Sequence, residues 1–357
     1  MPREDTHDER WMRVALGLAR RGLGQVAPNP SVGCVIIKDN IVVGRGWTQP
    51  GGRPHAETVA LGQAGDAARD ATAYVTLEPC SHTGQTPPCA DALIAAGIKR
   101  VVVATGDPDP RVSGRGVERL RAAGVSVKSG VLEVEAKYSN AAFFTRITQN
   151  RPMFTLKVAT SVDGKIALSN GESKWITGAR ARGLSHQMRA CHDAILVGSG
   201  TVLKDNPSLT CRIDGVSGRD PVRVVLDRRG RTIGKSSPLS GDTPTFVVTE
   251  QAQTSPAGFE TIQVKPGQAL SNIAELLADK GLNSVLIEGG GAISASFLAA
   301  GLVDRLQVFS AGKMIGDTGI GAVGDLGLAK LVDAPHFTLR KIRQLGRDIL
   351  ASYDKAE

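Results

Sequence analysis

Aromatic residues make up only 4% of this 357-residue chain: three Trp, three Tyr and eight Phe. Stacking platforms for single-stranded nucleic acid are therefore scarce, and no Lys/Arg run with interleaved aromatics makes up for them. A formal net charge of +8 suits a nucleic-acid surface but equally suits pockets for phosphorylated small molecules, so charge alone decides nothing. Cysteine is sparse as well. Five is an odd number, which argues against a disulfide framework and for a reducing cytoplasm. No apolar run approaches the roughly 20 residues that span a bilayer, and the stretch Met1 to Arg10 is charged where a secretory signal needs an apolar core. Internal repeats and low-complexity segments are also missing. What is left, 41% hydrophobic and 22% charged, is ordinary globular composition, long enough for two domains at roughly 150 residues each.

The chemistry-bearing residues gather in one stretch. His55-Ala56-Glu57 is followed by Glu78-Pro79-Cys80-Ser81-His82 and then by Thr86-Pro87-Pro88-Cys89. One imidazole and two thiolates form the donor set of a catalytic zinc site, where three protein ligands leave the fourth position to water. The spare carboxylate of Glu57 is the natural proton shuttle to a leaving amine. A structural site is normally closed by four ligands; His82 offers a fourth but is equally able to face a substrate. Plain buried cysteines are the bland alternative. The pairing of His-x-Glu with Pro-Cys favours catalysis, because that is the pattern of zinc nucleobase deaminases.

Periodicity predicts a helix over 10–22, strands over 32–37 and 41–44 joined at Asp39-Asn40, and a helix over 56–64 that begins beside His55. Strands over 73–77, 100–105 and 125–128 alternate with helices over 90–96 and 116–123. One further helix is expected over 132–147, with Gln149-Asn150-Arg151-Pro152 as a linker. Such alternation indicates a mixed or parallel sheet covered by helices, with ligands beyond the strand ends. Asn29, between two prolines, is either a turn former or an amide that reads a polar ring edge. Cys34 reads as core packing. The second half repeats the α/β logic: strands over 153–159, 194–198, 222–227, 245–249, 284–288 and 305–309, and helices near 179–190, 269–280 and 292–300. Its Glu288-Gly289-Gly290-Gly291-Ala292 turn between strand and helix either cradles an anion or is merely tight; it matches neither the dinucleotide fingerprint nor the Walker pattern. The polar loop from Gly198 to Arg212 is either solvated surface or a phosphate-binding segment.

Both halves together resemble the bifunctional deaminase–reductase family of riboflavin biosynthesis, over roughly residues 10 to 350. The motifs that carry the resemblance are Pro28-Asn29-Pro30-Ser31-Val32-Gly33, the His55, Cys80 and Cys89 segments, Ser161-Val162-Asp163-Gly164-Lys165, Gly171 to Thr177, and Thr201 to Thr210. The long spacing from Cys80 to Cys89 differs from the Cys-x-x-Cys of cytidine and tRNA-adenosine deaminases. The resemblance implies an α/β protein with a cytidine-deaminase-like zinc domain over 1–148 and a dihydrofolate-reductase-like domain over 152–357. The first would deaminate diaminohydroxyphosphoribosylaminopyrimidine, with zinc on His55, Cys80 and Cys89, Glu57 as acid/base, and Asn29 and His82 on the ring. The second would reduce the ribosyl group to ribityl with NADPH. Its implied substrate contacts are Ser173, Arg189, Leu209, Arg212 and Glu288. Its implied cofactor contacts are Ala159, Trp175, Thr201, Asp205 and the loop Gly290, Gly291, Ala292, Ile293, Ser294, Ala295 and Ser296. Lys157 and Glu288 would lie near the carbon that is reduced. A homo-oligomer in the cytoplasm, with no nucleic-acid or membrane partner, completes the expectation.

Two positions depart from the family pattern. Gln85 stands where relatives often carry Lys or Arg, which questions an ionic contact to the substrate phosphate there; a nearby Arg such as Arg53 is a substitute. Ala311-Gly312-Lys313-Met314-Ile315-Gly316 lacks the proline of the family's corresponding loop. Two rival readings are a nucleic-acid deaminase with a basic RNA-binding half, and a deaminase with a non-catalytic oligomerisation half.

Overall fold

In the first half, alternate residues of one strand feed two separate cores. The computed structural model describes residues 6–356 apart from 83–86, 216–219, 234–238, 240–242, 253–254 and 256–257. The chain divides into two compact units, Met1–Asn150 and Arg151–Glu357. The first begins with α1 (His7–Ala19), followed by β1 (Gly33–Lys38), β2 (Ile41–Trp47), α2 (Ala56–Ala64), β3 (Thr72–Val75), α3 (Cys89–Ala95), β4 (Arg100–Val103), α4 (Arg115–Ala122), β5 (Ser126–Ser129), α5 (Glu133–Ser139) and α6 (Ala141–Gln149). Its sheet runs β2-β1-β3-β4-β5. β1 is antiparallel to both neighbours, and the later pairs are parallel. Asp39 and Asn40 both take positive φ, 50° and 63°, as a tight two-residue hairpin turn requires.

Period-two alternation then sorts the side chains. Val35, Ile37, Tyr74 and Val102 face α1 residues Trp11, Met12 and Ala15. Cys34, Ile36, Val75, Val101 and Val103 face Ala56, Ala60, Leu93 and Leu120. Each large aliphatic buried this way contributes about 1.5–3 kcal/mol. Buried Asp8 pins α1 to the sheet. Its carboxylate accepts from Arg100 through two nitrogens at 2.8 Å, from Lys128 at 2.7 Å and from Tyr74 at 3.0 Å. Arg100 above all holds that carboxyl well below the usual range. On the other face, α2 lies directly on the backbone of β2: a Cβ on Gly44 would meet the Ala60 carbonyl at 2.2 Å, and one on Gly46 the Ala56 carbonyl at 2.3 Å.

The single helix expected over 132–147 is two, α5 and α6. The break is Asn140, whose side chain turns away to grip Ser31, with Oδ1 accepting from its N–H (2.9 Å) and Nδ2 donating to its carbonyl (3.0 Å).

The second unit is built on β6 (Met153–Ser161), β7 (Lys165–Ala167), α7 (Ala179–Ala190), β8 (Ala194–Gly198), α8 (Ser199–Asp205), β9 (Val222–Leu226), β10 (Thr245–Thr249), β11 (Phe259–Gln263), α9 (Leu270–Asp279), β12 (Ser284–Ile287), α10 (Gly291–Ala299), β13 (Val303–Ala311), β14 (Ile320–Gly321), β15 (Phe337–Leu345) and β16 (Asp348–Lys355). Nine strands form one sheet in the order β11-β10-β9-β8-β12-β6-β13-β16-β15, parallel through β13 and antiparallel at the last two. Ala194 and Leu196 join the core that includes Ile273 and Leu277 of α9 and Phe297 of α10. Ile195 and Val197 pack on the opposite side with Val202 and Leu209. The loop expected after β8 is therefore partly helical: Val202 gives α8 a buried contact. The closing hairpin of β15 and β16 and the short β7–β14 pair were absent from the expected elements. Among the described residues no helix is long and apolar enough to cross a membrane.

Candidate functional site

Three elements of the first unit deliver the atoms that could hold a metal ion. His55 is the N-cap of α2, Cys89 is the first residue of α3, and Cys80 lies in the segment after β3. His55 Nδ1 is 3.3 Å from Cys89 Sγ and 3.7 Å from Cys80 Sγ, and the Cys89 N–H donates to Cys80 Sγ at 3.3 Å. All three ligand atoms lie within 4.8 Å of one another, and His82 is not part of the group. One imidazole nitrogen and two thiol sulfurs converging on a point, with no fourth protein donor in the group among the described residues, fit an open tetrahedral zinc site. The Cys80 thiol is pulled down to about 4, chiefly by the hydrogen bond from Cys89 and then by that from His55. Glu57, in the first turn of α2, is 4% exposed, and burial pushes its carboxyl up to about 7. Cys80→Ser will weaken zinc binding by at least the roughly 100-fold that loss of a supporting contact alone reaches. Zinc per chain after dialysis checks this; stoichiometric metal in the variant contradicts the ligand set.

The cluster opens into a cavity of ≈ 230 Å³ lined by Asn29, Arg53, Glu57, His82, Asp107 and Arg146 among others. Asn29 donates through Nδ2 to the Gly52 carbonyl at 2.8 Å, which fixes its amide on the cavity wall. His82 is exposed at the rim. Glu78 and Asp107 are additions to the expected set. Buried Glu78 accepts from the N–H groups of Gly114 (3.0 Å), Gly116 (2.9 Å) and Val117 (3.1 Å), and so ties the Cys80 segment to the start of α4. Burial pushes Asp107 up to about 6. The clustered acids and prolines of Gly106-Asp107-Pro108-Asp109-Pro110 were the available signal for this segment. Gln85 and Thr86 lie outside the described residues.

A second cavity, ≈ 600 Å³, sits at the C-terminal ends of β8, β9 and β12. It brings together Ser173, Thr201, Asp205, Glu288 and the run Gly290, Gly291, Ala292 and Ile293. Lys204 also lines it, unforeseen because the segment from Gly198 read as an irregular loop. Lys157 and Arg189 reach this site through Glu288. Arg189 grips the Glu288 carboxylate through Nε (2.8 Å) and Nη2 (2.9 Å), and Lys157 Nζ stands 3.5 Å away. Burial raises the Glu288 carboxyl, but Lys157 and Arg189 outweigh it and hold the group at about 2.

Other expected contacts are placed elsewhere. Ser294, Ala295 and Ser296 are not on the lining: the Ser294 N–H is spent on the Gly290 carbonyl, its hydroxyl turns back to the same oxygen, and the Ser296 hydroxyl turns back to Ala292. Ala295 is buried. Trp175 is 60% exposed beneath the Arg182 guanidinium, 4.5 Å from its ring centre. Ala159 packs beside Phe309 and Leu350. Leu209 is buried in the core below, and Arg212 holds the Ser208 and Thr210 hydroxyls at 2.9 and 3.2 Å. The loop without its family proline is held by Asp163, which accepts from the N–H groups of Ile315 and Gly316. The first-turn amides of α10 and the polar lining fit a phosphorylated dinucleotide such as NADPH.

Comparison with known proteins finds relatives of both units. Residues 5–105 match the cytidine and deoxycytidylate deaminase zinc-binding region, and residues 152–351 match the RibD C-terminal domain. The riboflavin biosynthesis protein RibD of Aquifex aeolicus is 43% identical over 353 residues, covering 98% of each chain. Its Escherichia coli counterpart is 41% identical, covering 96% of this chain and 98% of the other. A crystal structure of a diaminohydroxyphosphoribosylaminopyrimidine deaminase/5-amino-6-(5-phosphoribosylamino)uracil reductase from Thermotoga maritima superposes with a TM-score of 0.90 at 40% identity, covering 98% of this chain and 99% of that one. An Acinetobacter baumannii RibD gives 0.88 at 38% identity, with the same coverage. With likeness of this depth along nearly its whole length, the chain belongs to the RibD family of riboflavin biosynthesis proteins, a cytidine-deaminase-like zinc domain joined to a reductase domain.

Proposed function

We propose that residues 1–148 deaminate diaminohydroxyphosphoribosylaminopyrimidine and that residues 152–357 then reduce the ribosyl side chain of 5-amino-6-(5-phosphoribosylamino)uracil to ribityl. The observation that carries this reading is the convergence of His55, Cys80 and Cys89 beside buried Glu57 in one cavity. His55, Cys80 and Cys89 would hold zinc, which when bound would supply a Lewis acid that brings the pKa of water near neutrality. Glu57 would hold a proton and pass it to the departing amine, and Asn29 and His82 would orient the ring. In the second cavity NADPH supplies the reducing equivalent. Thr201, Asp205 and the Gly290–Ile293 turn hold that cofactor, while Ser173 and Glu288 face the substrate. Arg189 and Lys157 keep Glu288 ionised, so that negative charge stands where the reacting carbon becomes electron-poor.

The enzyme works on a small phosphorylated pyrimidine in the cytoplasm and has no use for nucleic acid; five cysteines outside any disulfide suit that compartment. Exposed Leu339, Ile342 and Ile349 on the outermost strand pair support a homo-oligomer. The decisive assay follows ammonia and NADPH absorbance with zinc-loaded protein and the pyrimidine substrate. Ammonia release without NADPH, and NADPH oxidation only after deamination, is the expected result. Ammonia release with no NADPH oxidation leaves a lone deaminase, and neither signal overturns the reading.

A further inference from the structure

We infer that α4 braces the two zinc thiolates and that Arg119 is its positioning residue, tying the chain after Cys80 to the helix that begins with Cys89; the inference rests on the zinc reading above. Where two residues separate the thiols, as in the Cys-x-x-Cys deaminases, the covalent link alone keeps them within about 10 Å. Here Cys80 and Cys89 are nine positions apart. Such a link reaches up to about 30 Å when extended, yet the ligand atoms of His55, Cys80 and Cys89 lie within 4.8 Å of one another. Noncovalent contacts must hold them there. Two are local: the Cys89 N–H donates to Cys80 Sγ at 3.3 Å, and the Ala90 N–H donates to the Cys80 carbonyl at 3.2 Å.

Helix α4 supplies further ones, on both sides of Cys80. Upstream, Glu78 accepts from the N–H groups of Gly114, Gly116 and Val117, and a Cβ on Gly116 would meet the Pro79 carbonyl at 2.0 Å. The start of the helix therefore rests on the two residues before the ligand. Downstream, the Arg119 guanidinium spans the two thiol-bearing segments. Nη1 donates to the carbonyl of Ser81, the residue after Cys80, at 3.1 Å. Nε and Nη2 hold the carboxylate of Asp91, in the first turn of α3, at 2.5 and 2.8 Å. A guanidinium is planar with its donors in a fixed fork, so these bonds set a distance as well as a direction. The Arg119 and Asp91 side chains are 48% and 36% exposed, and an ion pair that open to water contributes little to folding. Its effect falls on the spacing of the sulfurs, which a zinc–sulfur bond of about 2.3 Å registers directly.

The test measures zinc affinity of the full-length protein by competition with a chelator, together with the absorption spectrum of the cobalt-loaded protein. Arg119→Ala is expected to bind zinc about tenfold more weakly, the lower end of what losing a group that orients a metal ligand costs. It is also expected to shift the thiolate-to-cobalt band, which follows sulfur geometry and which a contact serving only the fold would leave in place. Asp91→Ala is expected to do the same from the other side of the bridge. The double variant is expected to be no worse than either single one, because all three lose one and the same tie. Zinc affinity within about threefold of wild type, an unshifted cobalt band, or losses that add in the double variant each overturn the proposal. If Arg119→Ala fails to fold, Arg119→Gln takes its place under the same criteria. Wild-type protein that binds neither metal overturns the zinc reading itself, which is a distinct outcome.

Discussion

Glu57→Gln will retain one zinc per chain and full reductase turnover while deamination falls by about 10²–10⁴-fold, the range assigned to a positioned acid/base group. The substitution keeps size and shape and removes only the ability to take and return a proton. Glu57 is 4% exposed on a helix whose N-cap is the ligand His55, so its neutral isostere fits the same space. Zinc analysis and ammonia release on the same preparation check both parts. Deamination within tenfold of wild type removes Glu57 from the mechanism.

This part of the site was legible because its residues sit at the starts of periodic segments. Ala56–Ala64 and Cys89–Ala95 both appear as helices close to where periodicity puts them, so the positions of His55, Glu57 and Cys89 at helix N-termini followed directly. Glu78 was not legible as a hub, because its partners are backbone amides 36 to 39 residues away that no side-chain pattern marks. The break at Asn140 was hidden for the same reason: its partner is Ser31, 109 residues distant. β15 was missed because it has no buried face to impose alternation, and a register shift between Leu339 and Lys341 disrupts the pairing. At Gly290 to Ser296 the glycines pointed to the right turn. The ladder of α10 sets the limit at Ile293, since from Ser294 onward the amides are consumed within the helix.

Glu288→Gln will cost the second unit about 3–5 kcal/mol, the usual consequence of breaking a buried ion pair from one side. Arg189 and Lys157, each with side chains 14% exposed, would be left facing a neutral amide and each other. Reductase turnover will fall with it, while ammonia release by the first unit persists. Wild-type protein carries the same interaction in its pH dependence. The carboxyl is lowered from 4.5 to about 2, so its stabilisation is fully present above about pH 4.5 and drains away as pH falls through 2. In the variant that acid-limb contribution is gone. Chemical denaturation followed at Trp175, the sole tryptophan of the second unit, reports the stability change, and an unfolding midpoint unchanged from wild type contradicts it.

The seating of α2 on β2 carries a consequence for how this enzyme can drift in sequence. Gly44, Gly46, Ala56 and Ala60 have no functional groups, yet backbone and methyl contacts at these four positions set the height of the helix that presents His55 and Glu57. A side chain at either glycine lifts that helix by an ångström or more, whereas a zinc–nitrogen bond of about 2.0 Å tolerates only tenths. Mutational tolerance at the deaminase centre is therefore narrowest at residues that never touch substrate, and a survey of damaging variants will find a silent floor of small residues beneath the reactive ones.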